Sequence, residues 1–272
     1  MPVTLSNLNA AEPASQPPPA TVGAAAAAGP SEGVIRGHIL AHYRSLYRGE
    51  KRCRVPILQG RQLAAALGFP AAVTERIADQ LWLDFVPCGN PLPLLAAPAA
   101  AGSGLNLGCG AGIDATALSL LGSATHPIVN LDPVAAILHR AARLPPNQTA
   151  PARRIRWCAG EGEALPFKDG SFHWVLMNGV FNLFPSKPPV LREVNRVLAA
   201  GGRLVICDLF HDGPLPDDVR HELDAWAWCL GGAVDRHEVG AILAQAGFHL
   251  ERFEIEEIID RFCRAGLRAQ KP

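Results

Sequence analysis

Short, mostly apolar runs alternate, from about residue 104 onward, with segments whose apolar positions recur every three to four residues. The first kind reads as strands, with 172–178 nearly all apolar as a central parallel strand should be, the second as helices packed by one face. The pattern predicts strands over 104–107, 128–131, 154–158, 172–178 and 203–209, and helices over 113–121, 134–142, 188–198, 216–228 and 236–246. Residues 249–258 and 265–270 are expected as a final antiparallel edge pair. Pro188-Pro189 suits a first helical turn, and Asp217 and Asp218 complement a helix dipole. Asp235-x-x-Glu238 reads as a capping box for a helix that closes at Gly247. Gly201-Gly202 is expected to turn the chain into the fifth strand. This alternation implies an α/β fold, a Rossmann-like doubly wound sheet of seven strands.

Residues 31–100 carry a different pattern. Ile35, Ile39, Leu40, Tyr43 and Tyr47 are spaced for a helix over 34–48, and helices over 60–67 and 71–85 follow, parted by Gly68-Phe69-Pro70. This predicts a small helical N-terminal cap, linked through an Ala/Pro/Gly stretch to a nucleotide-binding domain over 101–272. Residues 1–30 are Ala, Pro, Ser and Gly with almost no large apolar side chain. Such a segment cannot bury enough surface to offset its ordering entropy and is expected to be disordered.

Gly108-Cys109-Gly110-Ala111-Gly112 lies between the first strand and the first helix, and the second strand ends on Asp132. In such a βαβ unit the glycines let backbone approach a ligand, the helix N-terminus receives an anion, and the later acid meets a ribose hydroxyl pair. A dinucleotide fingerprint is G-x-G-x-x-G. Here the third glycine comes one residue early, and Ile113 takes the later place.

Composition narrows the function classes. Hydrophobic residues make up 49% of the 272 and charged residues 18%, so a large core is available. Basic and acidic residues balance at 25 each, with no global pull toward nucleic acid or an anionic membrane. A basic bias over 31–61, where only Glu32 and Glu50 are acidic, reads as a solvated helical face. No run approaches the ~20 apolar residues of a membrane span. The first basic residue is Arg36, so no charged segment precedes the Ala run as in a signal peptide. Seven scattered cysteines point to free thiols in a reducing, cytoplasmic setting. No resident metal is expected.

The G-x-G-x-G loop before Asp132 resembles the first motif of class I S-adenosylmethionine (SAM) methyltransferases. Three further segments match that family in order: Gly160-Glu161-Gly162-Glu163-Ala164-Leu165-Pro166-Phe167, Asp169-Gly170-Ser171-Phe172-His173-Trp174-Val175, and Arg196-Val197-Leu198 with Gly201-Gly202-Arg203-Leu204. The resemblance implies SAM as cofactor. Gly108, Gly110 and Gly112 would hold its methionine end, Asp132 the ribose, and Glu161 with Gly162 the adenine. Asn106 stands where the family has an acid near the methionine amino group; an amide still accepts a hydrogen bond, without the charge. His173 replaces a common aspartate and reads as a strand-start residue. Asp208 and His211 close the fifth strand at the edge where ligands bind, as pocket walls or as a base for a hydroxyl acceptor.

Outside these motifs, Cys88-Gly89-Asn90-Pro91, Asn178-Gly179-Val180-Phe181-Asn182-Leu183 with Pro185-x-Lys187, and Trp226-Ala227-Trp228-Cys229-Leu230-Gly231-Gly232-Ala233 resemble the arsenite methyltransferase family. In that family cysteine thiolates hold trivalent arsenic near the sulfonium methyl, a soft ligand for a soft centre. The resemblance implies Cys88 and Cys229 as acceptor-side, catalytic thiols, with Cys53 as a looser match to an N-terminal one. Gly179 occupies a third cysteine position, so two thiols remain, enough for a monomethylated arsenical. Cys109, Cys158, Cys207 and Cys263 read as loop, core or edge residues. Tyr43 and Tyr47 share one helix face and either pack the cap or close over the cofactor. The expected activity is methyl transfer from SAM to a small-molecule acceptor, a thiol-bound arsenical or alternatively an organic metabolite.

Overall fold

The computed structural model describes residues 29–50, 59–95, 101–122, 126–144 and 154–272. The expected disordered segment lies outside the described residues save for Gly29 and Pro30, and so does Cys53. The strands are β1 (Gly104–Leu107), β2 (Ile128–Asp132), β3 (Ile155–Ala159), β4 (Phe172–Asn178), β5 (Leu198–His211), β6 (Val234–Asp235), β7 (His249–Ile259) and β8 (Phe262–Gln270). They form one sheet in the order β3-β2-β1-β4-β5-β8-β7. The first five are parallel, and β8 lies antiparallel between β5 and β7.

Side chains on successive strand residues leave by opposite faces, and two cores result. On one face Ile128, Trp174, Leu176 and Val205 pack with α5 (Ile113–Leu120) and α6 (Ala135–Arg143). On the other, Leu105, Leu107, Val175, Met177, Leu204 and Ile206 pack with α7 (Lys187–Val197) and α10 (Val239–Gln245). The cap comprises α1 (Glu32–Tyr47), α2 (Gly60–Ala66), α3 (Ala71–Thr74) and α4 (Asp79–Trp82). Its Tyr47, Ala64, Val73, Leu81 and Trp82 belong to the first core, so cap and sheet share one interior.

Several local expectations are corrected. The sheet has eight strands, not seven; the eighth, β6, pairs only Val234 and Asp235 with Phe210 and His211, too short to leave a periodic signature. The helix expected over 216–228 is two, α8 (Asp217–His221) and α9 (Leu223–Ala227). They part at Glu222, whose ψ of 117° is extended and whose carboxylate accepts the Asp224 N–H, a local bond that competes with the helix. The helix expected over 71–85 is likewise two single turns, α3 and α4. The capping box does not form, because Asp235 is engaged in β6 and accepts from His237 N at 2.8 Å and Gly213 N at 3.2 Å. Gly201-Gly202 bulges within β5 instead of preceding it: Leu198 already pairs with Phe172, and the register breaks before Arg203 pairs with Trp174. Among the described residues no helix is long and apolar enough to cross a membrane.

Candidate active site

The loop after β1 rises at the C-terminal edge of the parallel strands, where open α/β sheets bind ligands. Leu131 O fixes its base, accepting from Gly108 N at 2.8 Å and Cys109 N at 3.0 Å. Gly108, Gly110 and Gly112 have φ of 66°, 50° and 70°, left-handed values that disfavour any side chain. A Cβ at Gly108 would lie 2.3 Å from Val180, and one at Gly112 2.5 Å from Asn130. The first glycine keeps a cradle open; the last seats α5 on the neighbouring strands. Asp132 is buried and holds the loop's shape: Oδ2 accepts from Gly110 N and Oδ1 from Val134 N, both at 2.9 Å. Each oxygen keeps a lone pair for a hydroxyl. Burial pushes this carboxyl up to about 6, against the pull of the two N–H bonds.

Of the residues expected around the cofactor, Gly112 and Asn106 do not line this pocket. Gly112 serves it from behind, through the packing of α5. Asn106 is set beside Asn130 by the parallel register, and its Nδ2 donates to Asn130 Oδ1 at 3.0 Å, with 2% of the residue exposed. An acid does line the pocket one step past the loop. Asp114, in the first turn of α5, is buried. Its Oδ2 accepts from Asn178 Nδ2 at 3.1 Å, while Oδ1 has no partner among the described residues. Burial raises its carboxyl to about 7, with the Asn178 bond opposing. No motif marks Asp114; the available signal was an acid inside an otherwise apolar helix start. Asn178 extends the link, since its Oδ1 accepts from Cys88 N and Gly89 N at 3.1 and 3.2 Å. One amide thus ties the cofactor loop's helix to a thiol-bearing segment.

Glu161 and Gly162 line the pocket's other end. A Cβ on Gly162 would meet the Phe184 ring at 2.6 Å, so the glycine lets this loop settle on that ring. Glu161 stands exposed at the mouth, 3.9 Å from Arg36, which also pairs with Glu163. Arg36, Tyr43 and Tyr47 bring α1 to the same pocket. Tyr43 Oη donates to Ala227 O at 3.2 Å, and Tyr47 Oη faces Gly110. The two tyrosines therefore pack the cap and line the pocket at once.

Cys88 and Cys229, 141 positions apart in the chain, come together. Their sulfurs and a carboxylate oxygen of Asp208 all lie within 4.8 Å of one another. Cys229 is one of two non-glycine residues with positive φ among those described, at 63°, a strained conformation of the sort that persists where surroundings over-determine it. Its Sγ donates to Gly179 O at 3.4 Å. A Cβ at Gly179 would lie 3.3 Å from Cys88 Sγ, so this position faces the thiol pair. Asp208 is fully buried and accepts from Leu209 N and Asn182 Nδ2 at 2.9 Å and from Asn182 N at 3.2 Å. The hydrogen bond with Cys88, then burial, hold the Cys229 thiol well above its usual range. The Cys229 bond lowers Cys88, but burial and Asp208 leave it raised. Lys187 is buried beside this group, brought down to about 8 by burial while Asp208 and Cys229 pull it back up.

The remaining sequence candidates lie elsewhere. His211 Nδ1 contacts Gly213 O at 2.6 Å beyond the end of β5 and does not line the pocket. His173 is bonded to Ser103 N at 3.2 Å, a strand-start contact as expected. Cys207 and Cys263 are core residues on opposite faces of the sheet.

The methyltransferase-domain family profile matches residues 100–247. The arsenite methyltransferase of Halobacterium salinarum is 34% identical over 67% of this chain and 46% of its own length. The chain thus spans less than half of that relative. The crystal structure of CrArsM, an arsenic(III) SAM methyltransferase from Chlamydomonas reinhardtii, superposes with a TM-score of 0.57 at 28% identity, covering 77% of this chain and 72% of that one. A malonyl-[acyl-carrier protein] O-methyltransferase of Legionella pneumophila is 29% identical over 53% of the chain and 49% of its own length. On its fold, its glycine loop and these matches, the chain belongs to the class I S-adenosylmethionine-dependent methyltransferase family and resembles the family's arsenite methyltransferases.

Proposed function

We propose that this chain transfers a methyl group from SAM to a trivalent arsenical held by Cys88 and Cys229. The observation that carries the reading is the convergence of those two thiols with Asp208, behind Gly179, which lines the cofactor pocket while the three themselves do not. The cradle fits the cofactor: glycines keep it open, Asp132 retains lone pairs for the ribose, and Glu161 stands at the adenine end. Asp114, a pocket-lining acid whose Oδ1 has no partner among the described residues, would take the methionine ammonium in place of Asn106. When bound, SAM supplies a sulfonium-activated methyl carbon open to a lone pair.

The acceptor side follows from the thiols' chemistry. Both are protonated at rest, because both pKa values are raised. Each condensation of S–H with As–OH forms an As–S bond and releases water, the thiol proton leaving with the hydroxide. A monomethyl arsenical held this way fills its three valences with one carbon and two sulfurs, so Gly179 favours it over arsenite. Lys187 balances negative charge near Asp208 and Cys229. The arsenic lone pair needs no base, so alignment and a dry pocket do the remaining work.

A second reading, an oxygen acceptor on a small metabolite with Asp208 as its base, draws support from that buried carboxylate of raised pKa and from the O-methyltransferase relative. One experiment separates them. The reduced protein is incubated with SAM and either arsenite or monomethylarsonous acid, and S-adenosylhomocysteine and arsenic species are read by mass spectrometry. Turnover of the monomethyl species, lost in Cys229→Ser while SAM affinity stays within about twofold, supports the arsenical reading. SAM binding without turnover of either arsenical overturns it.

A further inference from the structure

We propose a divalent-metal site between the cap and α9, formed by His38, His42 and Asp224. It is separate from the thiol pair and independent of which acceptor the enzyme uses. His38 and His42 stand four residues apart on α1 and so project from one helix face. Asp224 sits in the first turn of α9. One ligand atom from each residue lies within 4.8 Å of the other two, and His38 Nε2 is 2.9 Å from Asp224 Oδ1.

Two imidazoles and one carboxylate are a zinc donor set of three, with a fourth tetrahedral position left to water. Zinc–nitrogen bonds of about 2.0–2.1 Å need only a small inward adjustment of ligands already this close. His42 is buried and held in place by aromatic rings, with Tyr43 at 5.5 Å and Trp228 at 5.2 Å between centroids. His38 is partly exposed and Asp224 more so, which gives an ion a path from solvent. One ligand is therefore rigid and two are reachable.

The placement gives an ion a consequence. α1 carries Tyr43 and Tyr47 into the cofactor pocket. α9 runs directly into Trp228 and Cys229. An ion bridging the two helices would clamp the cap to the acceptor-side segment and hold both walls of the cleft together.

The test titrates Zn²⁺ into the chelator-treated full chain carrying Cys88→Ser and Cys229→Ser, which silences the thiol cluster. The expected result is one equivalent bound and a Tm rise of roughly 5–10 °C at a hundredfold excess over Kd. Hydrogen exchange over 32–47 slows on addition of Zn²⁺. Co²⁺ in its place gives visible d–d bands without a sulfur charge-transfer band. His38→Ala and Asp224→Asn, both at accessible positions, each weaken binding at least tenfold; they avoid the buried His42, whose loss could unfold the cap. An unchanged Tm on adding Zn²⁺, an equal rise in His38→Ala and Asp224→Asn, or a thiolate band with Co²⁺ would each overturn the site.

Discussion

Replacing Asp114 by asparagine tests the role proposed for that residue. Folding raises this carboxyl from 3.8 to about 7. Between those values the folded protein binds more protons than the unfolded chain, so stability falls as pH rises across that window, and the loss is complete above it. About three pH units correspond to about 4 kcal/mol. The Asp114→Asn variant would escape that cost, but its amide N–H would take the place of Oδ1, which has no partner among the described residues, at about 1–3 kcal/mol. The net expectation for SAM-free protein at pH 8 is a variant more stable by roughly 1–3 kcal/mol, seen as a Tm higher by about 2–10 °C. At pH 4 the ionisation cost is mostly gone while the unpartnered N–H remains, so the variant should be the less stable of the two. SAM reverses the preference. A hydrogen bond to a charged group contributes about 1.5–3 kcal/mol, so SAM Kd should weaken roughly 10- to 150-fold. Methylthioadenosine, which lacks the amino-acid end, should bind both proteins alike. Scanning calorimetry at the two pH values and titration calorimetry with both ligands measure all of this. Equal weakening toward methylthioadenosine, or no change toward SAM, would refute the ammonium assignment; a variant less stable at pH 8 would refute the burial argument.

Other expectations follow from the same geometry. Gly179→Cys puts a third sulfur against Cys88 Sγ; at φ 68° it should cost about 1–2 kcal/mol, lower Tm by a few degrees, and tighten arsenite binding as read by Trp fluorescence. Lys187→Met removes the cation beside Asp208 and Cys229, so alkylation of Cys229 by iodoacetamide at pH 7, where Lys187 is mostly charged, should slow roughly tenfold, followed by peptide mass spectrometry. Arg36→Ala breaks partly exposed ion pairs to Glu161 and Glu163; stability should move by no more than about 1 kcal/mol, while SAM dissociation in stopped flow becomes faster.

How much of this was legible in the sequence depends on the range of the contacts. Central parallel strands such as β4, buried on both faces, leave nearly continuous apolar runs and could be read directly, whereas β5 begins at Leu198, five residues before the expected start. The glycine loop was legible for a similar reason, since its backbone angles exclude side chains whatever lies far away. Asn106 shows the limit: a motif assigns a position, but the register with Asn130 decides what the side chain meets. Cys88 and Cys229 were legible only through family motifs, because spacing alone cannot join residues so far apart. The His38-x-x-x-His42 spacing was in plain view, yet its third member lies 186 residues beyond His38, and only the packing of α1 on α9 reveals it. Glu222 splits a helix through one side-chain bond that no period records.

The position of β8 between β5 and β7 bears on how the chain folds. Among the described residues β8 supplies the only sheet contact β7 has, although β7 precedes it in the chain. Until β8 inserts during folding, β7 has no sheet partner and one edge of β5 is bare along most of its length. Unpaired edges recruit other chains, and such intermediates are prone to aggregate. Glu251, Arg252, Glu254, Glu256 and Glu257 load β7 with charge over those residues, which keeps the waiting segment in water. Insertion of β8 is therefore the step that closes this side of the sheet, and replacing Glu254 and Glu257 of β7 by valine should lower the soluble yield on refolding from denaturant.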